Sequence, residues 1–255
     1  MRAFGGRASP LPVRMHLLAT MSGEGRPDGD GRRTANTKGQ EPVRPAGGTT
    51  RRKLLSGIRA VLFDMDGTLV EVPHDWKAIR KALGIGPGSI LDQLHALPEP
   101  ERSRRLALLD AMETDACDAA RPAPGAAELL GFLRRSGIAT ALVTNNSAAS
   151  ARTVLERFGW TFSAVITRDD GTWKPSPEPL FRAAAALGVP IGACAAIGDA
   201  WLDREAARAA GCRALWLVGP EAERSGRAAE LAAPDLAGLL ERLRESVETP
   251  SPTGS

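Results

Sequence analysis

From residue 58 onward, the chain alternates short, continuously apolar runs with longer stretches of helical character. The apolar runs lack the polar–apolar alternation of a half-exposed strand. Such runs are typical of strands buried on both faces, as in parallel sheets. We therefore predict five strands, at residues 58–63, 138–143, 164–167, 193–197 and 214–218.

Helix-favouring segments separate the later strands. Two of them place leucine, valine or phenylalanine at helical spacing, and two are rich in alanine. Because strand and helix alternate, we predict an α/β fold, a Rossmann-like parallel sheet with helices on both faces. The predicted helices span residues 126–135, 148–158, 178–187 and 203–210.

Residues 73–122 interrupt this alternation. They contain helical patterns separated by Pro and Gly, and no evident strand, so we predict a small all-helical cap inserted after the first strand. Residues 57–72 and 123–220 then form the core, and residues 221–247 a C-terminal helical segment. The predicted cap helices are residues 76–83, 90–96 and 101–120.

Charge is unevenly distributed. Residues 1–57 contain 11 Lys or Arg and four Asp or Glu, a net +7, whereas the rest of the chain contains 22 and 26, a net −4. We expect residues 1–56, rich in Gly, Arg, Pro, Ser and Thr, to be disordered, and likewise the tail at 248–255. The N-terminal segment is consistent with an organelle transit peptide. It is equally consistent with a mis-assigned start, since Met15 and Met21 lie downstream.

The cysteine count, the aromatic content and the length of the apolar runs argue against several classes of protein. Three cysteines without a CxxC motif argue against a disulfide framework or a zinc site. Aromatic residues make up 4% of the chain, and the acidic remainder shows no polyanion patch, so we expect no nucleic-acid partner. No apolar run is long enough for a transmembrane helix, so we expect a cytoplasmic protein without a membrane partner. Targeting to an organelle stays an alternative.

Two carboxylates follow the first predicted strand, in the sequence Asp64-Met65-Asp66-Gly67-Thr68. Catalytic groups in open α/β sheets collect at the carboxyl ends of strands. Residues two apart in an extended segment point the same way, so both carboxylates face one site. There they can act as nucleophile and acid if their surroundings separate their pKa values, although a surface Asp-Gly turn would show the same letters.

Polar residues also follow three of the later predicted strands. Thr144 and Asn145 offer a hydroxyl and backbone N–H groups for phosphate oxygens, or a helix N-cap. Lys174, in a Pro-rich loop, can neutralise a phosphoryl group, or be a solvated lysine. The segment from Gly198 through Asp199 to Asp203 offers oxygen ligands for Mg²⁺, or a helix start. Four such signals at four strand ends favour one catalytic site.

These motifs together resemble the haloacid dehalogenase-like superfamily, in the branch with a small helical cap after the first motif. The resemblance covers residues 58–219. It implies that Asp64 is a nucleophile and that Asp66 is the general acid and base. It further implies that Asp64, the backbone carbonyl of Asp66 and Asp199 bind Mg²⁺. An acid at the position of Asp66 favours phosphate chemistry over dehalogenation.

The same resemblance implies that Thr144 and Lys174 bind the phosphoryl group, with Asn145 beside them. Asp203 would support the metal site or Lys174, and Gly67 and Gly198 would shape the loops. These roles agree with phosphoryl transfer, which depends on positioning and charge neutralisation.

The activity implied is a Mg²⁺-dependent phosphatase, similar to phosphoglycolate phosphatase, that acts on a small phosphorylated metabolite through an aspartyl-phosphate. A phosphomutase and a non-catalytic binding protein with the same fold stay as alternatives. We expect a monomer or a homodimer. At the start of the cap, we expect Asp75 to cap a helix and Trp76 to be a packing residue. The alternative is that His74 contacts the substrate.

Overall fold

The computed structural model describes residues 54–219, 222 and 231–248, with side chains to residue 246. The predicted disorder at residues 1–53 and 249–255 lies outside these residues, as does most of the segment 220–230. Residues 54–57 form a turn, so described structure begins slightly before the predicted boundary. Leu54 and Leu55 pack against the apolar core there, which accounts for the earlier start.

A six-stranded parallel sheet forms the centre of the fold. Its strands are β1 (Ala60–Phe63), β4 (Ala139–Val143), β5 (Ala164–Ile166), β6 (Cys194–Gly198), β7 (Ala214–Val218) and β8 (Leu231–Ala233). They lie side by side in the order β5-β4-β1-β6-β7-β8. This confirms the predicted fold class. β1 lies between β4 and β6, so side chains that follow it enter the middle of the sheet edge.

Helices cover both faces of the sheet. Along β1, Val61 and Phe63 belong to the apolar cluster on one face, and Ala60 and Leu62 to the cluster on the other. This is the two-residue period of a strand buried on both sides. The first face packs against α4 (Ala126–Arg135), α5 (Ala148–Phe158) and α8 (Leu236–Glu248), and the second against α6 (Glu178–Ala186) and α7 (Trp201–Ala210).

The insert has its own small core. Its helices are α1 (Trp76–Leu83), α2 (Ile90–His95) and α3 (Glu101–Asp118). Asp75 caps α1 as predicted, because its side chain accepts a hydrogen bond from the Ala78 N–H at 2.9 Å. The apolar faces of the three helices meet in a buried cluster of Ile79, Leu83, Leu91, Leu94 and Leu109.

Three short strands were missed by the sequence patterns. β2 (Val70–Glu71) and β3 (Arg121–Pro122) form an antiparallel pair where the chain enters and leaves the insert, so the expectation of no strand within 73–122 was wrong. β8 lies inside the segment predicted to be helical at 221–247, and it pairs with β7. Strands of two or three residues are defined by their partners, and carry too few positions to show a period.

No helix among the described residues is both long enough and apolar enough to cross a membrane.

Candidate active site

The loop after β1 is built to hold two carboxylates at the sheet edge. The Asp64 N–H donates to the Ile197 carbonyl at 2.9 Å, which extends the pairing of β1 with β6 by one residue. Gly67 then turns the chain with a φ of 76°, in the left-handed region. A Cβ at this position would overlap the Asp199 carboxylate, so glycine is required by space as well as by conformation.

Lys174 lies between two carboxylates. Its Nζ is 2.6 Å from Asp64 Oδ1 and 2.5 Å from Asp203 Oδ1, and its side chain is only 5% exposed. Although burial alone would lower the pKa of Lys174, the charges of Asp203 and Asp64 raise it above its ordinary value. Lys174 is therefore a fixed, buried cation.

Asn145 fixes the backbone of Lys174. Its Nδ2 donates to the Lys174 carbonyl at 2.8 Å, and its Oδ1 accepts from the Lys174 N–H at 2.8 Å. Both ends of the side-chain amide are thus used within the protein. The side chain of Asn145 therefore positions Lys174, whereas the predicted contact with phosphate was assigned to backbone N–H groups.

Three carboxylates place oxygen atoms within 4.8 Å of one another: Asp64, Asp199 and Asp203. Burial, followed by the neighbouring Asp203, raises the pKa of Asp64 well above its ordinary value against the opposing charge of Lys174. Burial and Asp203 likewise raise the pKa of Asp199 to about 7. A cluster that resists holding all its negative charges fits a divalent cation, which prefers such oxygen donors.

Asp203 differs from the other two because both of its oxygens have protein partners. Oδ1 contacts Lys174, and Oδ2 accepts from the Ala200 N–H at 3.1 Å. A Cβ at Gly198 would overlap the side chain of Asp203, so this glycine leaves room for it. Asp64 and Asp199 are consequently the better placed carboxylates for a cation, with Asp203 as support.

Asp66 is held through a single oxygen. Its Oδ2 accepts from Asn146 Nδ2 at 2.9 Å, and His74 Nε2 lies 2.9 Å from the same atom. Its Oδ1 is buried without a hydrogen-bond partner among the described residues. An immobilised carboxyl with one uncommitted oxygen is suited to give and take a proton.

Thr144 lies at the end of β4 and lines the cavity. It is buried, and its Oγ1 accepts from the Asn146 N–H at 3.1 Å. This bond leaves the hydroxyl hydrogen of Thr144 available for another acceptor.

The sequence patterns missed two features of the site. Asn146 contacts Asp66 across 80 positions of the chain, although it stands next to the predicted Asn145. Arg168, which follows β5, forms a buried ion pair at 2.6 Å with Glu113 of α3 and also binds Asp110. An acid on the apolar face of a long helix would have been the sequence signal for Glu113.

A cavity of about 600 Å³ lies between the strand ends and the insert. All nine predicted site residues except Gly198 line it, and so do Trp76 of α1 and Glu113 of α3. The fold therefore brings the four sequence motifs together under the insert.

The arrangement defines a class of protein. Residues 58–211 match the family model described as haloacid dehalogenase-like hydrolase, and the chain belongs to this family.

Individual relatives agree with that assignment. The chain is 34% identical over 168 residues to an uncharacterized hydrolase of Saccharomyces cerevisiae, covering 62% of this chain and 76% of the relative. It is 30% identical to the phosphoglycolate phosphatase of Chromobacterium violaceum, covering 74% and 98%. Among solved structures, a hydrolase from Pseudomonas syringae superposes with a TM-score of 0.63 at 26% identity, covering 73% and 98%.

Proposed function

We propose that this protein is a Mg²⁺-dependent phosphatase that hydrolyses a small-molecule phosphate monoester through an aspartyl-phosphate on Asp64. The observation that carries the proposal is the placement of Asp64 against the buried Lys174, 2.6 Å away, with Asp66 held two residues further on. The name of the Chromobacterium violaceum relative supports phosphate chemistry.

The donor set supports a magnesium site. Asp64 and Asp199, with the backbone carbonyl of Asp66, would hold the ion, and Asp203 would support them. When bound, Mg²⁺ supplies positive charge to the phosphoryl oxygens and suppresses the repulsion between the carboxylates.

In the first half-reaction, a carboxylate oxygen of Asp64 attacks phosphorus, and the bond from phosphorus to the leaving oxygen breaks. Lys174 and Thr144 bind the phosphoryl oxygens and hold them in line. Asp66 gives its proton to the leaving oxygen, so that the product departs as a neutral alcohol.

In the second half-reaction, Asp66 takes a proton from a water molecule, whose oxygen attacks phosphorus. The bond from phosphorus to Asp64 then breaks, and the carboxylate is restored as inorganic phosphate leaves. Asn146 and His74 keep Asp66 in one orientation for both steps. Asn145 keeps Lys174 in place.

The test is phosphate release from a panel of phosphate monoesters, with Mg²⁺ and with excess EDTA. We expect Mg²⁺-dependent turnover by the wild type. Asp64→Asn preserves the size of the side chain but removes the nucleophile, so turnover should be abolished while the melting temperature stays within a few degrees. Asp115→Asn, at an exposed position of α3, is the matched control.

A second readout concerns the intermediate. The wild type quenched during turnover should carry one phosphoryl group on the peptide that contains Asp64. Near-normal turnover by Asp64→Asn, or full activity in EDTA, would refute the mechanism.

A further inference from the structure

The cavity lining includes two tryptophans. Trp76 of α1 and Trp201 of α7 both line it, and each is 43% exposed. The Trp76 ring lies 4.4 Å, centroid to centroid, from the ring of His74, which contacts Asp66. Trp76 therefore lies near the proposed proton donor, where the leaving group of a substrate must lie. Exposed aromatic rings in a cavity provide apolar area for a flat ligand.

The basic side chains that line the cavity already contact protein groups. Among the described lining residues, these side chains are Lys174, Arg80 and His74. Lys174 contacts Asp64 and Asp203. Arg80 donates to the carbonyls of Gly86 and Gly88, each at 2.6 Å, which folds the α1–α2 loop around its guanidinium. His74 contacts Asp66.

Acidic groups line the same cavity beyond the catalytic cluster. They are Glu71 of β2 and Asp235 before α8, whereas Glu113 of α3 is paired with Arg168. Glu71 is exposed at the point where the chain enters the insert. A leaving group with its own carboxylate would lose hydration beside Glu71 and Asp235, and the guanidinium of Arg80 is already bound to two carbonyls.

We propose that the preferred substrates are phosphate monoesters of uncharged, ring-bearing alcohols, with the ring against Trp76 and Trp201. The proposal rests on the proposed phosphatase activity and deepens it. It separates this chain from the activity in the name of its Chromobacterium violaceum relative, since phosphoglycolate carries a carboxylate on a small leaving group. The cavity, at about 600 Å³, falls within the range of about 300–1,000 Å³ that holds ligands with rings.

Matched pairs of esters test the charge preference. Benzyl phosphate and 4-carboxybenzyl phosphate share a ring and differ by a carboxylate. 2-Hydroxyethyl phosphate and phosphoglycolate form the same comparison without a ring. We expect kcat/KM to be at least about tenfold higher for the uncharged member of each pair, and highest for benzyl phosphate.

Two variants assign these preferences to residues. Glu71→Gln should raise kcat/KM for 4-carboxybenzyl phosphate several-fold more than for benzyl phosphate, whereas Glu128→Gln, on the exposed face of α4, should change neither. Trp76→Ala should lower kcat/KM for benzyl phosphate about tenfold more than for 2-hydroxyethyl phosphate. Phe181→Ala, which removes an exposed aromatic ring of α6 outside the cavity lining, is the control.

The outcomes separate the two proposals. Turnover of any ester that requires Asp64 supports the phosphatase assignment. If phosphoglycolate or 4-carboxybenzyl phosphate equals or exceeds its uncharged partner, the inference about the substrate class is overturned while the phosphatase assignment stands. Absence of phosphate release from every ester would overturn both.

Discussion

The strand ends of the sheet and the helical insert contribute to one cavity in different ways. At the strand ends, buried charges contact each other directly, as Lys174 does with Asp64 and Asp203. In the insert, the exposed Trp76 lines the cavity, and most buried residues, such as Leu83 and Leu94, are apolar and pack on one another. The ion pair of the buried Glu113 with Arg168 is an exception.

This difference separates chemistry from selectivity. The charged cluster is fixed by its own ion pairs, and it can serve any ester that presents a phosphoryl group. The insert reaches the sheet side through a few polar contacts, among them Arg168 with Glu113, and Trp173 with Asp92. We infer that substitutions at the strand ends, and at His74 which contacts Asp66, affect turnover of all substrates. Substitutions elsewhere in the insert should affect substrate choice and stability.

After the loss of all turnover expected for Asp64→Asn, the largest effect is expected for Asp66→Asn. The amide can keep contacts with Asn146 and His74 but cannot transfer the proton, so turnover of benzyl phosphate should fall by about 10²–10⁴. The loss should be smaller for 4-nitrophenyl phosphate, whose leaving group departs without protonation. Values of kcat/KM for both esters check this, because they report the first half-reaction and not the later hydrolysis in which Asp66 is the base. An equal loss of kcat/KM for both would contradict the assignment of Asp66 as the acid.

Lys174→Met tests how much the buried charge at the strand ends contributes to stability and turnover. The substitution removes the cation from between Asp64 and Asp203, so the free energy of unfolding should fall by about 3–5 kcal/mol. Turnover should fall by about 10²–10³ for all esters alike. Denaturant unfolding and kinetics measure both effects, with Lys77→Met on the exposed face of α1 as control. An unchanged rate would show that the phosphoryl group does not need this lysine.

The buried Glu113, in α3 of the insert, predicts that the free energy of unfolding depends on pH. Burial raises its pKa from 4.5 to about 7, against the charge of Arg168. Between these values the folded state keeps a proton that the unfolded state releases, so this contribution to stability falls as pH rises through the window. Relative to Glu113→Gln, the wild type should lose stability by up to about 3 kcal/mol from pH 4.5 to pH 7.

Unfolding free energies measured at intervals across this range check that prediction. Glu128→Gln, at an exposed position, should follow the wild type at every pH. A constant difference between wild type and Glu113→Gln would mean that Glu113 titrates alike in both states.

The sequence predicted most of the sheet and the placement of the motifs at its edge, because both depend on local patterns. A buried run such as β7 and a turn such as that at Gly67 are visible within a few residues. β8 was not predictable, since three residues become a strand only by pairing with β7.

The contacts within the site were less predictable, for the same reason. Asp66 meets Asn146 across 80 positions, and Trp173 meets Asp92 across 81. Such partners are chosen by the packing of the insert on the sheet, which no local period encodes. The sequence therefore indicated which residue types gather at the cavity, but not that Asn145 would hold Lys174 through its backbone.

The smallest effect is expected for Trp173→Phe, which removes one contact between the insert and the loop before Lys174. Trp173 Nε1 donates to Asp92 Oδ1 of α2 at 2.6 Å, and its ring stacks on His95 at 4.2 Å. Phenylalanine keeps a ring for the stack and loses the hydrogen bond, worth about 1 kcal/mol, or about fivefold in an opening equilibrium. Amide hydrogen exchange in α2, which should already exceed that in β1, should accelerate about fivefold while β1 is unchanged. Trp160→Phe, on the core beside Phe158, should alter neither. Unchanged exchange in α2 would show that the insert is held by its own packing, and equal acceleration in α2 and β1 would show that insert and sheet open as one unit.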